Sequence, residues 1–158
     1  RDTDRSRGLG DVYKRQAIAN AKEIELINRI EGKFDIFADE DMIKTVLRNL
    51  ISNAIKFTYT GGQVELSLAD SGDYWTIYVK DNGKGIPKDL QAHLLKSDEY
   101  ITTYGTHNEK GSGLGLILCR DFIRMNKGKL HFYSQEGIGT TFYFTIPKAS
   151  SSAEAVSR

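Results

Sequence analysis

Three polar residues, Asn49, Asn53 and Lys56, stand at i, i+4 and i+7 in a stretch whose apolar positions recur at helical spacing. At about 100° per residue they fall within roughly 60° of one another, about a third of a turn from the centre of the apolar stripe, and share one rim of the helix. A solvated surface is the ordinary destination of such residues. Their chemistry allows more: an amide oxygen is a hard, neutral ligand suited to Mg²⁺, and a lysine is a point charge suited to phosphate. A metal-bound triphosphate would use both.

Four further stretches carry chemistry. In "DNGKGIP" (81–87), Asn82, Gly83 and Gly85 suit a plain turn into the next helix. A turn needs no particular carboxylate, however. Asp81 at a strand end can accept a hydrogen bond from an exocyclic amino group, and glycines let a planar ring approach the backbone. "EKGSGLGLILC" (109–119) sets Gly111, Gly113 and Gly115 directly ahead of an apolar run. Unhindered amides at a helix start converge on an anion, and the helix dipole adds to the attraction; a flexible connector is the alternative. The spacing is GxGxG, it follows a polar loop, and no GxxxxGK[ST] occurs, which excludes Rossmann and P-loop readings. "LKSDEYITTYGTHNEKG" (95–111) is too long and polar for an ordinary connection. It is either a solvated loop or a lid in which Thr102, Thr103, Lys110 and Ser112 close over phosphates. "EGIGTTF" (136–142), taken singly, is a hairpin turn.

The elements that must position these residues alternate along the chain. "IELINRI" (24–30) and "KFDIFA" (33–38) read as two short strands joined at Glu31 and Gly32 as a hairpin. Asp39 is a suitable N-cap for a helix running to about Phe57. Glu40 and Asp41 suit its positive start, and Ile43, Val46, Leu47, Leu50, Ile51 and Ala54 form its apolar face. "QVELSLA" (63–69) and "YWTIYVK" (74–80) predict a hairpin with Val64, Leu66, Leu68, Trp75, Ile77 and Val79 on one face. A short helix from Lys88 to Leu95, a helix from about 112 to Asn126 closed by Gly128, and strands "KLHFYSQ" and "TTFYFTI" complete the order. Helices on one face of a mixed, largely antiparallel sheet make an α+β two-layer sandwich.

Composition bounds the rest. The chain has 158 residues, 39% hydrophobic and 27% charged, which suits one domain with a real core. A formal net charge of +1 gives neither the basic stripe that grips nucleic acid nor a polybasic membrane patch. No apolar run approaches the roughly 18 residues of a membrane span, and no signal peptide opens the sequence, so the chain reads as soluble. The single cysteine, Cys119, sits in the apolar run "LILC" and reads as a buried thiol in a reducing compartment. Residues 1–16 lack apolar period and read as an extraneous or disordered extension, and 149–158 as a flexible tail, leaving 17–148 as the working domain.

Taken in order, "RNLISNAIKFT", "DNGKGIP", "TTYGTHNEKGSGLGL" and "EGIGTTFYFTIP" closely resemble the asparagine box and the three glycine boxes of the sensor histidine kinase ATP-binding domain, within the gyrase, Hsp90, histidine kinase and MutL superfamily. The resemblance covers about residues 20–147 and implies the Bergerat fold: a mixed five-stranded sheet with three helices on one face and ATP between helices and lid. Carried over by motif position, Asp81 reads the adenine amino group with help from Thr140, and Asn53 coordinates Mg²⁺. Asn49 and Lys56 lie beside metal and phosphates. Gly83, Gly85 and Ile86 shape the base pocket, and Lys110, Gly111, Ser112, Gly113, Leu114, Gly115 and Leu116 wrap the phosphates, with Thr102 and Thr103 in the lid.

Two departures accompany the resemblance. The phenylalanine-rich box that usually precedes the second glycine box is replaced by "SDEYITTYGTHNEKG", and the hairpin bearing the phosphoacceptor histidine is absent. His93, His107 and His131 are followed by Leu94, Asn108 and Phe132, not by the acidic residue expected after that acceptor. Hydrolases of the superfamily, and its serine kinases, place a glutamate where Asn49 stands, and an amide cannot accept a proton from attacking water or serine. The resemblance therefore implies transfer of the ATP γ-phosphoryl group to a histidine on a separate dimerisation hairpin. Asn49, Lys56 and Lys110 would act in catalysis, and a response regulator receiver domain would lie downstream. The expected setting is cytoplasmic, within a membrane-associated parent. The alternatives are an ATP-hydrolysing conformational switch and a nucleotide-binding module without transfer.

Overall fold

The computed structural model describes residues 2–3, 15–31, 34–96, 103–104, 106, 110–111 and 114–149. Its elements in chain order are β1 (Asp2–Thr3), helix α1 (15–21), β2 (Glu25–Asn28), β3 (Ile36–Phe37), α2 (Glu40–Phe57), β4 (Gln63–Ser71), β5 (Tyr74–Asp81), α3 (Lys88–Gln91), β6 (Thr103–Tyr104), β7 (Lys110–Gly111), α4 (Leu114–Met125), β8 (Leu130–Gln135) and β9 (Gly139–Pro147). Five strands form one mixed sheet in the order β2-β4-β5-β9-β8, parallel between β2 and β4 and antiparallel elsewhere. The parallel pair needs a crossover, and α2 lies within it.

Asp39 caps α2 as its sequence predicts: Oδ1 accepts from the Met42 amide at 3.1 Å, and Glu40 and Asp41 occupy the first turn. The helix buries Ile43, Val46, Leu47, Leu50, Ile51, Ala54 and Ile55. It ends where Thr58 turns extended and its hydroxyl donates to the Ala54 carbonyl at 2.7 Å. Val64, Leu66, Ile77, Val79, Phe142, Phe144 and Ile146 meet that face from the sheet, with Cys119 and Ile123 of α4 in the same core. Fully burying an aliphatic or aromatic side chain contributes about 1.5–3 kcal/mol each, so this shared face holds the two layers together.

The structure corrects three expectations and refines a fourth. Segments 24–30 and 33–38 do not pair with each other: β2 extends the main sheet beside β4, whereas Ile36–Phe37 pairs with Asp2–Thr3 and bridges to Lys148. Alternation marks a strand but not its partner, and here the partners are set by two different packing demands, Leu26 joining Val64 and Ile36 the far end of β9. The helix expected from Lys88 to Leu95 is only Lys88–Gln91, followed by turns; Pro87 provides no side-chain cap, and four residues lie below the length at which a helix sustains itself. Gly128 does close α4, its amide donating to the Ile123 carbonyl at 2.9 Å, but the left-handed residue of that closure is Lys127, at φ 65°, and Gly128 is needed because the chain passes against the Thr145 carbonyl, 1.9 Å from where a Cβ would stand. Among the described residues there are four helices rather than three, the addition being α1, which starts before residue 17 and buries Ala19. Residues 1, 4–14 and 150–158 of the two terminal stretches lie outside the described residues.

Candidate functional site

The sheet brings Asp81, Thr140 and Ser134 into one row. Asp81 ends β5 opposite Thr140 of β9, which stands opposite Ser134 of β8, and directly opposed residues share a face. Asp81 is only 6% exposed. Its Oδ1 accepts from the Gly83 amide at 2.9 Å and the Thr140 amide at 3.3 Å, and among the described residues Oδ2 has no hydrogen-bond partner. Burial pushes the carboxyl up to about 6, outweighing the two amide donors that favour its charged form. A buried carboxylate with one oxygen committed and the other uncommitted suits a donor brought by a ligand.

The segment 82–87 is clamped between α2 and β8. The Lys84 amide donates to the Phe57 carbonyl at 3.0 Å, the Gly137 amide to the Lys84 carbonyl at 2.8 Å, and the Ile86 amide to Ser134 Oγ at 2.9 Å. Gln91 Nε2 donates to the carbonyls of Ile86 and Ser134 at 2.8 and 3.3 Å. A Cβ on Gly83 would lie 2.1 Å from the Phe57 oxygen, and one on Gly85, at φ +72°, would lie 2.3 Å from the Gln135 oxygen. These glycines are thus required by chain-to-chain packing, which in turn fixes the segment beside Asp81.

Along α2 the polar rim joins this corner to the start of α4. Asn49 Nδ2 donates to the Thr45 carbonyl at 2.9 Å, and a Cβ on Gly115 would stand 3.3 Å from Asn49 Oδ1, so the amide oxygen faces the second residue of α4. Asn53 follows one turn later, half-buried. Lys56 holds its ammonium 4.6 Å above the Phe57 ring, and Lys84 holds its own 5.3 Å from the same ring. From Asn49 to Phe57 the helix rises about 12 Å, the scale of an extended nucleotide. The last turn of α2 is a junction. Lys22 Nζ donates to the Ile55 and Lys56 carbonyls at 3.1 and 2.8 Å, the Thr106 amide to the Lys56 carbonyl at 3.1 Å, and Thr106 Oγ1 to the Thr58 carbonyl at 2.8 Å.

Asp81, Gly83, Gly85, Ile86 and Thr140 thus share one corner at the end of α2, Asn49 meets Gly115 at the start of α4, and Asn53 and Lys56 stand between them along α2. Leu116 sends its side chain into the core, leaving only its backbone to a ligand. Thr103 and Gly111 pair in β6 and β7, as do Tyr104 and Lys110, and Leu114 opens α4. Thr102, Ser112, Gly113 and His107 lie outside the described residues. His131 stacks on Tyr143 on the outer face of the sheet. Sequence reasoning missed Ser134, Gln91, Lys84, Lys22 and Thr106. Ser134 alone had a signal: it is the hydroxyl in an inward series begun by Leu130 and Phe132.

A two-layer α/β sandwich with a carboxylate at a sheet end, a polar rim on the covering helix and a glycine-led second helix defines a nucleotide-binding domain. The sequence model of the family described as "Histidine kinase-, DNA gyrase B-, and HSP90-like ATPase" matches residues 38–150, and the chain belongs to that family. Its fold is that of histidine kinase catalytic domains. The nucleotide-free catalytic domain of histidine kinase ThkA is similar with a TM-score of 0.76 and 28% identity over 94% of this chain and 95% of that one. Full-length ShkA in complex with AMPPNP gives a TM-score of 0.73 and 26% identity over 90% of this chain and 30% of that one. In sequence, an adaptive-response sensory kinase SasA of Prochlorococcus marinus is 39% identical over 72% of this chain and 30% of its own length. The SasA of another strain of that organism, MIT 9313, is 34% identical over 88% of this chain and 39% of its own length. The chain therefore spans only about a third of these relatives.

Proposed function

We propose that this chain is the ATP-binding catalytic domain of a sensor histidine kinase and passes the γ-phosphoryl group of ATP to a histidine on a separate dimerisation hairpin, from which a response regulator receiver domain takes it. The observation that carries this reading is the continuity of the α2 rim. One end of α2 abuts Gly83 beside Asp81, and Asn49 abuts Gly115 at the start of α4. Adenine donates its amino hydrogens to Asp81 Oδ2, and the phosphates run along the rim toward α4, whose N-terminal amides and dipole favour anions. Lys56 and Lys110 supply positive charge, Lys56 by leaving the Phe57 ring.

Mg²⁺ suits the donors of the rim. Asn53 offers a neutral amide oxygen that would hold the ion, and the phosphates and water would complete its coordination. Once bound, the ion's chemistry is neutralisation of phosphate charge. The chain's own contribution is positioning. The neutral imidazole nitrogen of the acceptor attacks the γ-phosphorus, the bond to the bridging oxygen breaks, ADP carries away the electron pair, and the imidazole proton passes to a base that arrives with the partner. Asn49, its Nδ2 held by Thr45, has an oxygen aimed at Gly115 but no carboxylate to activate water, which disfavours the hydrolytic reading.

No helix among the described residues is long and apolar enough to cross a membrane. A parent sensor attached to the cytoplasmic side of a membrane accords with this reading. The test is to mix this chain with γ-labelled ATP, Mg²⁺ and the parent's histidine hairpin. Acid-labile, base-stable label on the hairpin is expected. Rapid release of inorganic phosphate, abolished by changing Asn49, would instead support the hydrolytic switch, and ATP binding without either outcome would support a module that does not transfer.

A further inference from the structure

The row Asp81, Thr140, Ser134 contains more than the carboxylate that meets the base. Ser134 Oγ has three neighbours: the Ile86 amide at 2.9 Å, the Gly139 carbonyl at 3.2 Å and Thr140 Oγ1 at 2.7 Å. A serine hydroxyl has one hydrogen and two lone pairs. The Ile86 amide can only donate, so it takes one lone pair. The Gly139 carbonyl can only accept, so it takes the hydrogen. By distance alone either hydroxyl of the Ser134–Thr140 pair could donate; the arrangement that satisfies all three neighbours of Ser134 leaves its second lone pair toward Thr140, with the Thr140 hydroxyl donating into it. With its hydrogen turned toward Ser134, Thr140 Oγ1 presents only lone pairs to the site. The Thr140 amide is already spent on Asp81 Oδ1. Neighbouring acceptors in the row then face the base, from Asp81 and from Thr140.

We propose that Ser134 is a positioning residue that sets base specificity, fixing the Thr140 hydroxyl as an acceptor so that the site takes a 6-aminopurine and rejects a 6-oxopurine. The inference rests on the adenine-binding reading of this site. A 6-amino group supplies donors to both acceptors, directly or through one water. A 6-oxo group places a third acceptor against them and leaves buried lone pairs facing one another, the arrangement by which a polar site rejects an analogue most strongly. Gln91 holds the backbone of the same corner through the Ile86 and Ser134 carbonyls but takes no part in the hydroxyl assignment.

The test is calorimetric titration of the whole chain with ATP and with inosine 5′-triphosphate, each with Mg²⁺, alongside thermal unfolding to verify folding. Wild type should prefer ATP. Ser134→Ala frees the Thr140 hydrogen to point at a 6-oxo group, and the ATP-over-inosine preference should fall by about 2- to 10-fold, the worth of one hydrogen bond. Ser134→Thr, which keeps the hydroxyl, should restore it. Gln91→Met should weaken both nucleotides in parallel. An unchanged preference in a folded Ser134→Ala chain, or an equal loss of preference in Gln91→Met, overturns the role of Ser134 and leaves the adenine site standing. Wild type that binds neither nucleotide defeats the underlying site reading instead, and wild type that binds both equally overturns the specificity.

Discussion

Asp81→Asn should make the protein more stable and a worse ATP binder at once. Burial raises the Asp81 carboxyl from 3.8 to about 6. The folded state therefore holds its proton more tightly than the unfolded chain does. Stability is greatest below about pH 4, where the carboxyl is neutral in both states, and falls as pH rises through about 6, where the folded chain must bury a charge. A shift of that size corresponds to about 3 kcal/mol at neutral pH, an upper bound for the gain because asparagine must also accommodate two amide hydrogens. The amide oxygen of the substituted side chain can still accept from the Gly83 and Thr140 amides, so the strand end keeps its geometry. In a chain of this size such a gain raises Tm by roughly 5–10 °C at pH 7.5, and it should shrink toward zero near pH 4. ATP affinity should move the other way. A hydrogen bond to a charged group contributes about 1.5–3 kcal/mol, or roughly 10- to 150-fold in Kd. Circular dichroism melts across pH 4–8 and calorimetric ATP titration measure both. Lower stability at pH 7.5, or a gain of equal size at pH 4, would refute burial as the source of the shift; unchanged ATP affinity would remove the base-reading role.

Three further outcomes follow from the packing. Burial pushes the Cys119 thiol up to about 12, and its Sγ lies 3.7 Å from the Val46 carbonyl. A thiol reagent at pH 8 should therefore label the native chain only at its rate of opening, and quickly in denaturant. Gly128→Ala forces a Cβ to within 1.9 Å of the Thr145 oxygen and should cost several kcal/mol in denaturant unfolding, whereas Gly72→Ala, at φ +79° with open space around it, should cost about 1–2 kcal/mol. Asp39→Ala removes the cap on Met42 and should cost about 1 kcal/mol by the same measurement, an effect that Asp39→Ser should largely restore.

What the sequence made legible was whatever rests on periodicity and local chemistry. The α2 stripe, its Asp39 cap and the β4–β5 hairpin follow from spacing alone, and the structure holds all three. The sheet partners of β2 and β3 do not follow, because a short alternating run fits any edge, and β2 pairs with Gln63–Leu66 while Ile36 bridges to Lys148, both far along the chain. In the candidate site, residue types singled out Asp81 at the end of β5 and Asn49, Asn53 and Lys56 along α2. Gln91 and Thr106 were silent because each acts through a backbone partner 43 or 48 residues away, a relation no local window contains, and the inward position of Ser134 gave no sign of its bond to the Ile86 amide. For two of the glycines the structure supplies a packing reason that the sequence did not contain. Gly83 and Gly85 are forced by the Phe57 and Gln135 backbones, so the openness of this corner is a consequence of packing between strand, loop and helix.

That consequence explains why the strand end tolerates Asp81. A carboxylate in this position costs stability at neutral pH, and the two amides on Oδ1 recover only part of that cost. Gly83 supplies one of those amides and is itself held by the end of α2, while Thr140 supplies the other and is held by Ser134. The charge is thus stabilised from both layers of the sandwich, and under the proposed reading a ligand donor at Oδ2 would add a third contact. Under the proposed reading the desolvation cost is incurred on folding, so the unbound domain carries the penalty and a bound donor would relieve it. By the same logic, mutations that relax the corner without touching Asp81, such as loss of Gln91, weaken binding by letting water reach the carboxylate, because hydration stabilises the free charge and reduces what the ligand can add.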